Sequence, residues 1–209
     1  MPSLRLDHVI YAVRDLDSAA TRVTADFGLA SVEGGRHPGW GTANRIVPLG
    51  ESYLELVAVV DSSEAAASDF GRPVLEALAT GERLVGWAVA TDDIEGIARR
   101  LGLEVTGGSR TRPDGVTLRW QLAGVGRALA TGALPFFIQW EGAAELHPGR
   151  AAAAHRVTPD GIAWVEVSGE ERSLRTWLGD HDLPLRIADG PQPLSAVAIS
   201  TAEGEVVFR

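Results

Sequence analysis

Residues 6–29 have the sequence LDHVIYAVRDLDSAATRVTADFGL, which joins one strand to one helix. Side chains alternate along a strand, so His8 and Ile10 are predicted to share one face of the segment 7–13. Asp15 is a favourable helix-start residue, apolar residues then recur at helical spacing, and Gly28 is a natural helix stop. The segment therefore predicts a strand, a tight connection and an amphipathic helix.

The same order returns in residues 85–103, VGWAVATDDIEGIARRLGL, where Asp93 takes the place of Asp15 and Gly102 that of Gly28. In each copy a Gly/Pro-rich stretch (33–41 in the first) and further strand patterns follow the helix, and the last strand is aromatic. A repeated order of this length predicts duplicated βαβββ modules. Two such modules enclose a space that holds side chains or one small ligand.

The predicted fold class is α+β, with tandem βαβββ modules forming a curled mixed sheet around a cavity. A looser third copy follows in residues 161–209, as a partial βαβββ-like module. The predicted domains are residues 1–141 for the paired modules, an Ala/Pro/Gly-rich linker at 142–160, and 161–209 packed on the first two modules or on a partner chain. The histidines of the linker and third module, His147, His155 and His181, are interpreted as surface residues.

The composition excludes several classes of protein. The chain has 209 residues and a net charge of −9, with no basic cluster of the kind that nucleic-acid binding needs. It has no Cys and no Lys, which excludes disulfides, thiolate nucleophiles and lysine Schiff bases. No apolar run is long enough for a membrane span and no secretory signal is recognisable, so cytoplasmic location is the default expectation. No dinucleotide or phosphate-loop fingerprint is present, so no nucleotide cofactor is expected.

The chain resembles the vicinal oxygen chelate superfamily (glyoxalase, bleomycin resistance and dioxygenase proteins), and within it the glyoxalase-like domain proteins. Three stretches carry the resemblance: LDHVIYAVRDLDSA, GTANRIVPLGESYLELV, and SRTRPDGVTLRWQLAG with LPFFIQWEG. It covers residues 4–141 and implies a lyase, an isomerase, a dioxygenase or a metal-free binding protein. In metal-dependent members the ligands come from the first and last strands of each module. Carried onto this chain, those positions are His8, Glu55, Gly86 and Gln139.

Only His8 and Glu55 of these four are strong ligands, and together they suit Zn, Fe, Mn or Ni. Without a metal, the same two residues form a hydrogen-bonded acid–base pair, so His8 and Glu55 are the predicted catalytic residues in either case. Gly86 has no side chain to offer, and Gln139 is a neutral, weak donor.

Substrate binding is predicted for residues at the cavity and its rim. Arg110 and Arg112 suit an anionic group, because guanidinium binds carboxylates in bidentate geometry. Gln139 faces the cavity in the repeat alignment. Trp40 and Asn44 lie in or just after the first-copy loop, with His37, and loops at a cavity rim often carry binding groups.

The leading hypothesis is a protein that binds a small organic molecule, with an anionic molecule as one option, in an internal cavity, as a metal-dependent lyase, isomerase or dioxygenase. The alternative is a metal-free protein that sequesters such a molecule without catalysis. The unpaired third module also suggests a homodimer, because an open sheet edge invites pairing.

Overall fold

A computed structural model describes residues 3–111 and 115–209 of the chain. In chain order, the first copy contains β1 (Leu4–Ala12), α1 (Leu16–Phe27), β2 (Val32–His37), β3 (Thr42–Pro48) and β4 (Tyr53–Val59). Helices α2 (Ser62–Ala67) and α3 (Gly71–Thr80) follow. The second copy contains β5 (Arg83–Thr91), α4 (Ile94–Leu101), β6 (Val105–Thr111), β7 (Thr117–Ala123), α5 (Val125–Thr131) and β8 (Phe136–Glu141). The third comprises β9 (Pro159–Ser168), α6 (Glu171–Leu178), β10 (Leu185–Ala188), β11 (Leu194–Thr201) and β12 (Gly204–Phe208).

The repeated capping residues set the helices as predicted. Asp15 accepts a hydrogen bond from the backbone N–H of Ser18, and Asp93 accepts one from Gly96. Gly28 and Gly102 end these helices at φ of 72° and 64°, a left-handed conformation that glycine adopts without steric cost. These shared boundaries confirm the duplicated modules.

The first two copies form one eight-stranded sheet in the order β2-β3-β4-β1-β5-β8-β7-β6. Strands β1 and β5 pair antiparallel at the centre of the sheet, so an approximate twofold rotation relates the two copies. The sheet curls until its outer strands approach each other, and Arg110 on β6 reaches Asn44 on β3, with Nη1 at 3.2 Å from Oδ1. This is the curled mixed α+β sheet that the repeat predicts.

The two faces of this sheet bury different side chains. One face packs on α1 and α4 and is apolar, with Val9, Leu54, Trp87 and Phe137 in its core. The opposite, concave face carries the cavity. The strand regions predicted from the sequence therefore present alternate residues to helix and cavity.

The third copy has the predicted element order but a different strand order, β10-β9-β11-β12. Here β10, the strand after the helix, lies parallel beside β9, whereas in the first copy it is β4 that lies parallel beside β1. Helix α6 packs on the second copy, where the Trp177 indole N–H donates to the Pro135 carbonyl at 2.8 Å and its ring stacks on Phe137. The third unit thus packs on the helix-covered side, away from the cavity.

None of the described helices combines the length and apolar character needed to cross a membrane.

Candidate functional site

The concave face encloses a cavity of about 50 Å³ that is lined in part by six Trp, Tyr and Phe side chains. Trp40 and Phe70 stack at 4.6 Å on one side, and Trp120 and Trp140 lie 5.4 Å apart on another. Phe136 of β8 completes the aromatic lining. Such a wall favours a small ligand with an apolar or planar body.

Glu55 and His8 lie side by side at the polar end of the cavity. They sit on the parallel neighbours β4 and β1 and both point to the concave face, with 6% and 4% of their surfaces exposed. The His8 Nε2 atom is 3.8 Å from Glu55 Oε2. The Asn44 side-chain amide donates a hydrogen bond to the other carboxylate oxygen of Glu55. The buried carboxylate therefore has a neutral donor on one oxygen and an imidazole beside the other.

Asp7 fixes the far side of the His8 ring. The strand pairing of β1 with β5 shifts register between Leu6 and His8, and this bulge brings the adjacent side chains of Asp7 and His8 into contact. The His8 Nδ1 atom is 2.6 Å from Asp7 Oδ1, and the Tyr53 ring stacks on the imidazole at 4.5 Å. Burial raises the pKa of Tyr53 well above its ordinary value, so this ring stays uncharged. The hydrogen bond to Asp7 and the stacked Tyr53 ring thus fix the position of the His8 ring.

The Asp7 carboxylate is fully buried and accepts two further hydrogen bonds on Oδ2. The Trp140 indole N–H donates at 2.9 Å, and His147 Nε2 lies at 3.1 Å. Burial by itself raises the pKa of Asp7, but the hydrogen bonds from His147 and His8 outweigh it and hold the pKa far below its ordinary value. Asp7 is therefore ionised and only accepts, so the His8 Nδ1 atom carries a proton and donates a hydrogen bond to Asp7, while Nε2 faces Glu55.

His37 approaches the other oxygen of Glu55, with Nε2 at 3.6 Å from Oε1. Its Nδ1 atom is 2.9 Å from the Thr42 hydroxyl. Burial lowers the pKa of His37, and the neighbouring Arg110 and His8 lower it further against the pull of Glu55. A neutral second imidazole therefore faces the same carboxylate.

Arg110 reaches the cavity beside Gly34, which has no side chain to block it. A Cβ atom on Gly34 would lie 1.9 Å from Asn44 Oδ1 and 2.6 Å from Arg110 Nη1, so a side chain there would displace both groups. The guanidinium lines the cavity while donating to Asn44, which in turn donates to Glu55. A positive group is thereby coupled to the carboxylate.

The structure brings together most of the residues that the sequence singles out. His8, Glu55, Trp40, Asn44 and Arg110 all line the cavity. Arg112 lies outside the described residues.

Gln139 departs from the expectation that it faces the cavity. Its side-chain oxygen accepts a hydrogen bond from the Ile94 backbone N–H at the start of α4, on the helix-covered face, while Ile138 and Trp140 line the cavity. The register explains the difference, because Glu55 pairs with Ile10 and the equivalent pairing in the second copy joins Phe136 to Ala88. The position matching Glu55 is therefore Phe136.

The sequence does not fully predict the roles of three residues of the site. Asp7 has no signal besides its place next to His8. His37 was expected only near the rim, and it lies at the end of β2 inside the stretch interpreted as a Gly/Pro-rich connection. The surface interpretation of His147 is wrong, since only 9% of it is exposed and it contacts Asp7. His155 is half-buried and accepts a hydrogen bond from the Ala30 backbone N–H.

The predicted metal site lacks a complete set of ligands. Across residues 3–111 and 115–209, no group of three or more His, Cys, Asp or Glu is arranged to hold a metal ion. Catalytic sites usually supply three protein ligands. In the second copy, Gly86 matches His8 and Phe136 matches Glu55, and neither offers a ligand. A methyl group of Leu129 occupies the space beside Gly86. The predicted positions His8 and Glu55 therefore supply two of the three ligands that a catalytic metal usually takes, and the matching positions of the second copy add none.

A curled sheet of two βαβββ modules around a cavity, with a histidine and a carboxylate on its first and last first-copy strands, defines a glyoxalase-type protein. The chain belongs to the glyoxalase-like domain family, whose model matches residues 6–181. No curated protein matches it significantly.

Solved structures share the fold at low sequence identity. A hypothetical protein from Staphylococcus aureus is 20% identical, with 99% of each chain covered and a TM-score of 0.71. Methylmalonyl-CoA epimerase from Mycobacterium tuberculosis is 22% identical over 66% of this chain and 87% of that one, with a TM-score of 0.45. A variant of the Streptomyces coelicolor methylmalonyl-CoA epimerase in complex with 2-nitronate-propionyl-CoA is 21% identical over 65% and 96%, with a TM-score of 0.47. The first likeness supports the fold alone.

Proposed function

We propose that the cavity binds a small organic acid and that His8 and Glu55 move a proton on it, as in a lyase or isomerase. The observation that carries the proposal is a buried carboxylate facing the Nε2 atom of an imidazole at 3.8 Å inside an aromatic cavity. Burying a carboxylate costs stability even when it is hydrogen-bonded, as Glu55 is to Asn44.

The chain's own residues suffice for a proton transfer. A C–H next to a ligand carbonyl loses its proton to His8 Nε2, and the electron pair stays on the ligand as an enolate. The imidazolium that forms lies between the Asp7 and Glu55 carboxylates, which stabilise its charge. The guanidinium of Arg110 offers a positive partner for a ligand carboxylate. No step requires a metal.

The alternative function is binding without turnover. The aromatic lining supports it as well as catalysis, because stacking between rings holds a planar ligand whatever the polar groups do. The dioxygenase prediction receives least support, since such chemistry needs a redox metal and the predicted positions His8 and Glu55 supply only two of the ligands that it usually takes. Analysis of bound metal in protein purified without added metal tests the predicted Zn, Fe, Mn or Ni directly.

Deuterium exchange discriminates between the two functions. Pyruvate and phenylpyruvate each join a carboxylate to an enolisable C–H, and proton NMR in D₂O follows the loss of that C–H signal. We expect the protein to bind one of the two and to accelerate the exchange. The variants Glu55→Gln and His8→Gln remove the acceleration, whereas Glu33→Gln, on an exposed residue of β2, retains it.

Binding without acceleration would favour sequestration, and acceleration that persists in both cavity variants would refute the assigned roles. Replacing Arg110 by Gln weakens probe binding, while Arg119→Gln on the exposed side of β7 is its matched control. Cytoplasmic location and a homodimer remain predictions, and light scattering of the purified protein tests the dimer.

A further inference from the structure

The segment between the two sheets takes part in the cavity. His147 and Pro148 lie in this segment, and Pro148 lines the cavity directly. The imidazole of His147 packs edge-on against the rings of Trp140 at 5.3 Å and Tyr53 at 5.7 Å. A residue of the predicted linker therefore reaches the groups that hold His8.

The hydrogen-bond direction along this segment is fixed by the backbone. The Gly149 N–H donates to His147 Nδ1 at 3.1 Å, so Nδ1 is an acceptor and the ring proton is on Nε2, which faces Asp7 Oδ2 at 3.1 Å. Asp7 can only accept, and it takes the Nδ1 proton of His8 on its other oxygen. The donors thus converge on Asp7: Gly149 donates to His147, and His147 and His8 each donate to one oxygen of the Asp7 carboxylate.

Gly149 is itself held in place by the first copy. Its carbonyl accepts a hydrogen bond from the Gly50 N–H at 2.8 Å. A Cβ atom there would lie 2.4 Å from the Ser52 carbonyl oxygen. The turn that presents His147 is therefore anchored to the β3–β4 hairpin, beside the strand that carries Glu55.

We propose that His147 is a positioning residue: it locks the Asp7 carboxylate in the orientation that keeps the His8 proton on Nδ1 and the Nε2 lone pair in the cavity. The proposal rests on the proposed function of His8 as the base. It adds a residue outside the paired modules to the machinery of the site.

Long-range ¹⁵N–¹H spectra of histidine-labelled protein test this without any need for turnover. In the unmodified chain, His8 gives a protonated Nδ1, an unprotonated Nε2 and an Nδ1 proton protected from solvent exchange. The substitution His147→Phe keeps a ring between Trp140 and Tyr53 but removes the donor to Asp7. We expect the protected His8 proton to be lost and the His8 Nε2 resonance to move toward the protonated position.

The variant His147→Gln restores a donor to Asp7 and is expected to recover the His8 spectrum. His155→Phe, on a half-buried histidine outside the cavity, is the control and leaves it unchanged. Hydrogen-bond partners of metal-bound histidines are typically worth roughly 10–100-fold in activity. By analogy, we expect His147→Phe to slow probe exchange roughly tenfold or more, with probe binding retained.

A His8 spectrum unchanged in His147→Phe overturns the proposal. If His147→Phe does not fold, a His8 spectrum in His147→Gln with the proton displaced from Nδ1 overturns it equally. Absence of probe exchange in the unmodified protein, together with the predicted spectral change, refutes the proposed function and leaves the positioning role standing.

Discussion

Replacing Asp7 by Asn tests the hydrogen-bond order at the site most severely. The carboxylate accepts on both oxygens, from His8 on one side and from Trp140 and His147 on the other. An amide has one accepting oxygen and one donating NH₂ group. Two donors converge on Oδ2, so the amide oxygen turns to them and the NH₂ group faces His8 Nδ1. His8 must then give up the proton on Nδ1 and carry it on Nε2.

The magnitude follows from the same contacts. Hydrogen bonds to a charged group contribute about 1.5–3 kcal/mol each, against about 0.5–1.5 kcal/mol for neutral ones. Three bonds weakened by about 1 kcal/mol each give a loss of about 3 kcal/mol, which relief of the buried charge partly offsets, so we expect a net loss of about 1–3 kcal/mol. A base held in the wrong tautomer costs roughly 10⁴-fold in catalysis in a serine protease, and we expect a loss of that order here.

Three measurements on Asp7→Asn follow: urea unfolding, the ¹⁵N spectrum of His8, and probe exchange in D₂O. The control is Asp26→Asn, an exposed carboxylate on α1. A variant in which His8 keeps its Nδ1 proton and full exchange activity would refute the reasoning.

Three further predictions concern the cavity edge, acid stability and the third unit. Gly34→Ala drives a methyl group into Asn44 and Arg110, so probe affinity measured by NMR titration falls roughly as for Arg110→Gln. An unchanged affinity contradicts a role of the Arg110–Asn44 contact in binding. Because folding lowers the pKa of His37, its contribution to stability is present above its ordinary value of 6.5 and is lost as pH falls below it; melting temperatures therefore drop from pH 7 to pH 5, and less so in His37→Gln. Trp177→Ala removes a buried indole and costs about 3–5 kcal/mol in urea unfolding, and a cost below 1 kcal/mol would indicate that the third unit is loosely held.

The sequence predicts the part of the site that depends on alternation along single strands. His8 and Glu55 belong to strongly patterned strands, and each falls on the cavity face by counting residues. Asp7 violates the alternation because of the bulge beside it, and no local pattern signals that bulge.

The errors arise where distant segments meet. The aromatic residues around Gln139 and Glu55 suggest that the two positions match. Strand pairing decides which residue faces the cavity, however, and it joins Phe136 to Ala88. His147 lies in a segment without periodicity, and only the packed structure brings it to Asp7. The third unit shows the same limit: its element order is evident, whereas its strand order depends on which edges are free.

A methyl group of Leu129 occupies the space that a side chain at Gly86 would fill, so the two ends of the cavity differ in chemistry. Two modules related by an approximate twofold axis would, if equal, offer a bound molecule two interchangeable orientations. Here one end presents imidazoles and a carboxylate, and the matching end is filled by hydrocarbon from α5. Under the proposed function, a ligand with a polar and an apolar end has one favourable orientation, and we expect this chiral site to distinguish the mirror-image forms of a small acid.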